Sequence, residues 1–101
     1  MVRARIAVDR EHLAACCRRH RIRRLALFGS VLREDFRPDS DVDVLVEFAP
    51  DHPVGLIRLA DIERELSALL GRQADLRTPA DLSRYFRREV LDSADVRYAA
   101  G

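Results

Sequence analysis

Asp41 and Asp43 stand two positions apart in the run "DVDVLVEF", residues 41–48, whose Val-rich remainder suits a buried β-strand. Side chains at i and i+2 of a strand leave the same face, about 6.5 to 7 Å apart along the backbone. Two carboxylates at that spacing repel by roughly 2 to 3 kcal/mol at an effective dielectric near 20, so a partly buried pair calls for a cation. Hard divalent ions take such oxygen ligands, and Mg²⁺ fills its remaining positions with water and substrate phosphates. The pair therefore points to phosphate chemistry, although a DxD alone also suits an exposed strand start after a turn.

Gly29 and Ser30 lie upstream, where a short apolar run "LALFG" gives way to a helical start. A glycine at a strand-to-helix turn presents unpaired backbone N–H groups to an anion at close range. Gly29 and Ser30 are thus candidate phosphate-binding residues, with Ser30 equally placed to cap a helix. No GxxxxGK[ST] occurs, which excludes a P-loop. Asp75, in the short segment "QADLRT", is the third candidate acid. If that segment pairs with 42–48, all three carboxylates converge, and Asp75 can complete a metal site or take a proton from an attacking hydroxyl.

The elements that must position these groups can be read from pattern. Asp9 can cap a helix carrying Leu13, Cys16, Cys17 and His20 at i, i+3, i+4 and i+7. "LALFG" reads as a strand, residues 30 to about 33–35 as a short helix, and "FRPDS" as a turn limited by Pro38. Val42, Val44 and Val46 fall on one face of the next strand, opposite Asp41, Asp43, Leu45 and Glu47. "APDHPVG" is a loop. Leu56, Leu59, Ile62, Leu66 and Leu69 form a helical stripe that Gly71 ends. After the strand holding Asp75, Thr78 and Pro79 open a last helix in which Leu82, Tyr85, Phe86 and Val90 can face the core. The tail "DVRYAAG" has no decisive pattern. The expected fold class is α/β (α+β): a small mixed sheet of about three strands flanked by helices, in one domain over residues 1–101.

Composition narrows the function classes. The chain has 101 residues, room for one compact core, and a formal charge of +1 that names no partner. All the basic residues are Arg, which suits bidentate contacts but also follows from biased genomic composition. Arg18, Arg19, Arg21, Arg23 and Arg24 form the densest basic run, yet no aromatics interleave it, so no direct nucleic-acid binding is expected. Cys16 and Cys17 lack a CxxC partner and read as small core residues in a reducing compartment. His12, His20 and His52 are scattered without ligand spacing, and Tyr85 and Tyr98 are weak candidates for self-modification. No segment has the length of a membrane span or the apolar core of a signal peptide, so a cytoplasmic location is expected.

Gly29-Ser30, ten intervening residues, then Asp41-Val42-Asp43 resembles the GSx₁₀DxD signature of the minimal nucleotidyltransferases, small members of the DNA polymerase β-like superfamily. The resemblance extends through "RPDSDVDVLVEF", "LIRLADIERELSALLG" and "ADLRTPADL", roughly residues 10 to 95. Many relatives continue GSxARG; here Arg33 is retained and Glu34 stands in place of the Gly. The resemblance implies a nucleotidyltransferase fold, Gly29 and Ser30 on nucleotide phosphates, and Asp41, Asp43 and Asp75 as catalytic residues on divalent metal, Mg²⁺, with ATP as donor. It further implies an antitoxin that transfers AMP to a tyrosine hydroxyl of a HEPN ribonuclease toxin, in assembly with that partner. The alternative is a non-catalytic antitoxin that neutralises the toxin by direct binding. An enzyme acting on small alcohols fits less well, because no acceptor-binding segment follows Asp75.

Overall fold

Helix α1 (Arg10–Arg19) begins where Asp9 accepts hydrogen bonds from the backbone N–H groups of Glu11, at 2.9 Å, and His12, at 3.2 Å. It ends with Arg18 and Arg19 beside the negative end of the helix dipole. The structure, a computed structural model, describes residues 6–32, 40–50 and 54–100, with Ser30 described in its backbone alone. Expectations that fall on the side chains of Ser30, Arg33, Glu34, Asp35, Pro38 and His52 lie outside the described residues.

Strand β1 (Ile22–Phe28) runs into a 3₁₀ turn, Gly29–Leu32, and β2 (Val42–Phe48) returns antiparallel to it. Helix α2 (Leu56–Leu70) stops at Gly71, whose φ of 70° is the left-handed conformation that glycine adopts without strain. Strand β3 (Ala74–Arg77) then lies parallel to β2, with α2 as the crossover. A 3₁₀ turn (Pro79–Asp81), helix α3 (Arg84–Ser93) and strand β4 (Asp95–Ala99) complete the described chain. The sheet order is β3-β2-β1-β4.

The core occupies one face of this sheet. Val42, Val44 and Val46, with Leu25 and Leu27 beside them, pack against Leu13, Cys16 and Cys17 of α1 and Ile62 and Leu66 of α2. The period of two sends Asp43 to the opposite face. Both cysteines are free and buried. Burial pushes the Cys16 thiol up to about 11 and the Cys17 thiol up to about 12. The basic run divides between the end of α1 and β1, where Arg19 pairs with Glu65 at 2.5 Å and Arg24 with Glu47 at 3.6 Å. No helix among the described residues is long and apolar enough to cross a membrane.

Two expectations are corrected. The sheet has four strands rather than three, because the tail supplies β4, antiparallel to β1. Its polarity is inverted: Asp95 is buried and Val96 exposed, with Asp95 held at 2.9 Å by Arg97 Nε, so alternation could not reveal it. The last helix is also split. Asp81 Oδ2 accepts from both the N–H and the hydroxyl of Thr78, at 3.0 Å each, which closes a single turn. Leu82 is extended, and Ser83 caps α3 afresh by accepting from the Tyr85 N–H at 3.3 Å. The rotated helix leaves Tyr85 85% and Phe86 61% exposed, where packing on the core was expected; Leu82 and Val90 are half-buried.

Leu66 is fully buried at the α2–sheet contact. Leu66→Ala is therefore expected to cost about 2–5 kcal/mol. Urea titration should show this as a lower midpoint at unchanged slope.

Candidate active site

The site grows from the ends of three strands. β1 finishes at Phe28, which is the register partner of Asp43 near the start of β2. Asp43 is in turn the register partner of Asp75 in the parallel β2–β3 pair. Parallel partners project from the same face, so the end of β1, Asp43 and Asp75 meet at one corner of the sheet. Asp41 precedes β2 by one residue, is exposed, and lies close enough to act electrostatically on Asp43.

Gly29 fits this corner for two reasons. Its φ is +77°, and a Cβ built on it would collide with the Asp43 carboxylate, reaching its Cγ at 3.2 Å. The missing side chain thus lets Asp43 rest directly against the turn. Val31, fully buried, anchors the same turn to the core.

Burial, followed by the nearby Asp75 and Asp41 charges, raises the Asp43 carboxyl above its usual value, and among the described residues Arg77 opposes them. Arg77 reaches across to Asp75 at 3.1 Å, and both side chains are partly exposed. Among the described residues, this is a corner with surplus negative charge. Three acids, of which Asp43 is the crowded and partly buried one, fit the donor set that a hard divalent ion takes.

Three contributors had little signal in the sequence. Ser67 Oγ accepts the Ala74 N–H at 2.8 Å, and Glu63 Oε2 accepts the Leu76 N–H at 3.1 Å. Both residues sit on α2, four apart, and their acceptors flank Asp75 on the outer edge of β3. Ser67 also donates to the Glu63 carbonyl at 2.7 Å, which fixes its hydroxyl. On the sequence they read as ordinary polar positions of an amphipathic helix; their i, i+4 spacing toward β3 is the one available hint. Arg77 was hidden in the same way, as one arginine among many.

The geometry can now be set beside known proteins. Residues 9–96 match the nucleotidyltransferase domain family. Protein adenylyltransferase MntA of Thermococcus cleftensis is 36% identical over 70 residues, 69% of each chain. A candidate protein adenylyltransferase of Methanocaldococcus jannaschii, MJ1217, is 35% identical over 83 residues, 82% of this chain and 83% of that one. Among solved structures, a candidate minimal nucleotidyltransferase superposes with a TM-score of 0.69 at 36% identity, covering 84% of this chain and 85% of that one. A toxin-antitoxin complex with AMP-PNP superposes at 0.70 over 92% of this chain and 75% of that one; at 17% identity, this likeness concerns the fold. The four-stranded α/β architecture is the nucleotidyltransferase fold. The chain belongs to the nucleotidyltransferase family, and it is an enzyme of that class.

Two outcomes test the site's physics. Glu63→Ala frees the Leu76 N–H and should lower nucleotidyl transfer about tenfold, the scale of one lost hydrogen bond to a charged group. Glu63→Gln keeps an acceptor and should restore most of it; equal losses in both variants would remove Glu63 from this role. Asp43→Asn should stabilise the metal-free protein at pH 7. A raised folded-state carboxyl makes the native state bind protons more tightly, so wild-type stability falls as pH rises from the unfolded value, about 3.9, through the folded one. Calorimetry from pH 3 to 7 in chelator should show the gain vanish at the acid end.

Proposed function

We propose that this chain transfers AMP from ATP to a hydroxyl, a tyrosine of a partner HEPN ribonuclease toxin, and so acts as the antitoxin of a two-protein system. The single observation that carries the chemistry is the Asp43 carboxylate set against Gly29, with Asp75 as its strand neighbour and Asp41 two residues before it. The names of the adenylyltransferase relatives and the AMP-PNP complex among the structural neighbours support the donor and the acceptor class.

In this reading Asp41, Asp43 and Asp75 hold Mg²⁺. Bound there, the ion would supply positive charge to the α-phosphate and to the departing pyrophosphate. The chain's own groups do the rest. Backbone N–H groups at Gly29 and Ser30 bind the phosphate oxygens and orient the triphosphate across the end of β1. The acceptor oxygen bonds to the α-phosphorus, the bond from that phosphorus to the bridging oxygen breaks, and pyrophosphate leaves. Asp75, the outermost of the acids on the sheet edge, takes the hydroxyl proton. Arg77 steadies the Asp75 carboxylate and limits its repulsion with Asp43. A reaction drawing on ATP and a ribonuclease partner fits a cytoplasmic chain, a reducing compartment that suits the free Cys16 and Cys17.

The test is co-expression with the toxin gene's product, followed by transfer from labelled ATP. Wild-type protein should add AMP to the partner at a tyrosine located by peptide mapping. The double variant Asp41→Asn, Asp43→Asn should lose at least about a thousandfold in rate while keeping its fold. Labelling that survives in this variant would falsify the assignment, and a partner that is inhibited yet unmodified would establish neutralisation by binding instead.

A further inference from the structure

On the sheet face opposite the acids, α1 and α2 are joined by a cluster that the transfer reaction does not use. Cys16 and His20 are four residues apart on α1 and its C-cap, so they share one helix face. Glu65 of α2 points back at them. One ligand atom from each of the three lies within 4.8 Å of the others. His20 Nε2 is 2.7 Å from Glu65 Oε2, whereas Arg19 occupies the other oxygen, Oε1, at 2.5 Å. His20 Nδ1 is buried without a hydrogen-bond partner among the described residues, so the cluster is incompletely satisfied as it stands.

We propose that Cys16, His20 and Glu65 form a zinc site that ties α1 to α2. The donor set of one thiolate, one imidazole and one carboxylate is borderline in softness, which suits Zn²⁺ and disfavours Mg²⁺ or Ca²⁺. Bonds of about 2.0–2.3 Å to a tetrahedral ion put ligand atoms roughly 3.3–3.8 Å apart, within side-chain rotation of the observed spacing. Arg19 stays on Oε1 and fixes the carboxylate, while Oε2 turns to the metal. The ion displaces the Cys16 thiol proton to solvent, so one Zn²⁺ enters and one proton leaves with no change of oxidation state. A shallow depression lined by His20, Gly55, Leu56, Ile57, Arg58 and Asp61 reaches the His20 side of the cluster, while Cys16 is fully buried behind it. Cys16 was hidden as a ligand because it lies on the apolar side of the helical pattern and reads as a core residue, whereas its companions are four residues away and on another helix.

The experiment uses the full chain carrying Asp41→Asn and Asp43→Asn, so that no ion binds the acidic corner, whatever that corner does. After dialysis against chelator, Co²⁺ is added as a spectroscopic probe and Zn²⁺ is titrated in competition. The expected result is one equivalent of Co²⁺ with a thiolate-to-cobalt charge-transfer band and tetrahedral d–d bands, both removed by Zn²⁺, which also raises Tm. Cys17→Ala should retain the band, and Cys16→Ala should abolish it and weaken Zn²⁺ binding at least about a hundredfold. Should Cys16→Ala fail to fold, survival of the band in Cys17→Ala assigns it to Cys16. Absence of a thiolate band in the folded protein, or its loss in folded Cys17→Ala, overturns the proposal and leaves a hydrogen-bond cluster.

Discussion

Like-charge crowding at one corner of the sheet is the constraint around which the site is arranged. Asp43 cannot move away from Asp75, because the two are locked as register partners in a parallel ladder. Nor can it retreat toward β1, where Gly29 already yields the space of a missing side chain. Among the described residues the compensating charge is Arg77, itself partly exposed. A carboxylate so confined is held at a disadvantage that a bound cation would relieve, which is how preorganised charge sites are commonly built.

The rest of the fold serves to maintain that confinement. β3 is four residues long and forms one edge of the sheet, where a strand alone would fray. α2 prevents this in two ways. Its apolar stripe, Ile62 and Leu66, packs under the valines of β2, and its polar residues Glu63 and Ser67 take up the outward N–H groups of β3. A single helix therefore supplies both the hydrophobic anchor and the polar clamp. On the far side, β4 covers the other edge of β1, and its inverted polarity is tolerated because Arg97 accompanies Asp95 into the sheet.

What could be read from the sequence was whatever depended on local spacing. The Gly29 turn, the Gly71 stop, the Asp9 cap and the inner part of the α2 stripe, Ile62 and Leu66, follow from periodicity or single-residue conformational preference and are found there, whereas Leu56, expected on that stripe, is 84% exposed at the helix start. The convergence of Asp75 on Asp43 was only conditional, because strand pairing is a long-range event that spacing does not encode. β4 was missed since a charged pair occupies its buried side. The last helix was read as continuous because Thr78-Pro79 is a sound start signal, yet Asp81 folds back on Thr78 and Ser83 offers a second cap two residues later. That shift moved Tyr85 and Phe86 from the expected interior to the surface.

Strand β2 carries a division of labour at single-residue resolution. Its valines answer to the packing of two helices, and the aspartate between them answers to the opposite face. Selection on thermal robustness and selection on chemistry therefore act on alternate letters of one heptapeptide. Drift in the helical layer can proceed with little disturbance to the acids, while an insertion or deletion within the strand would exchange the two faces and forfeit both at once.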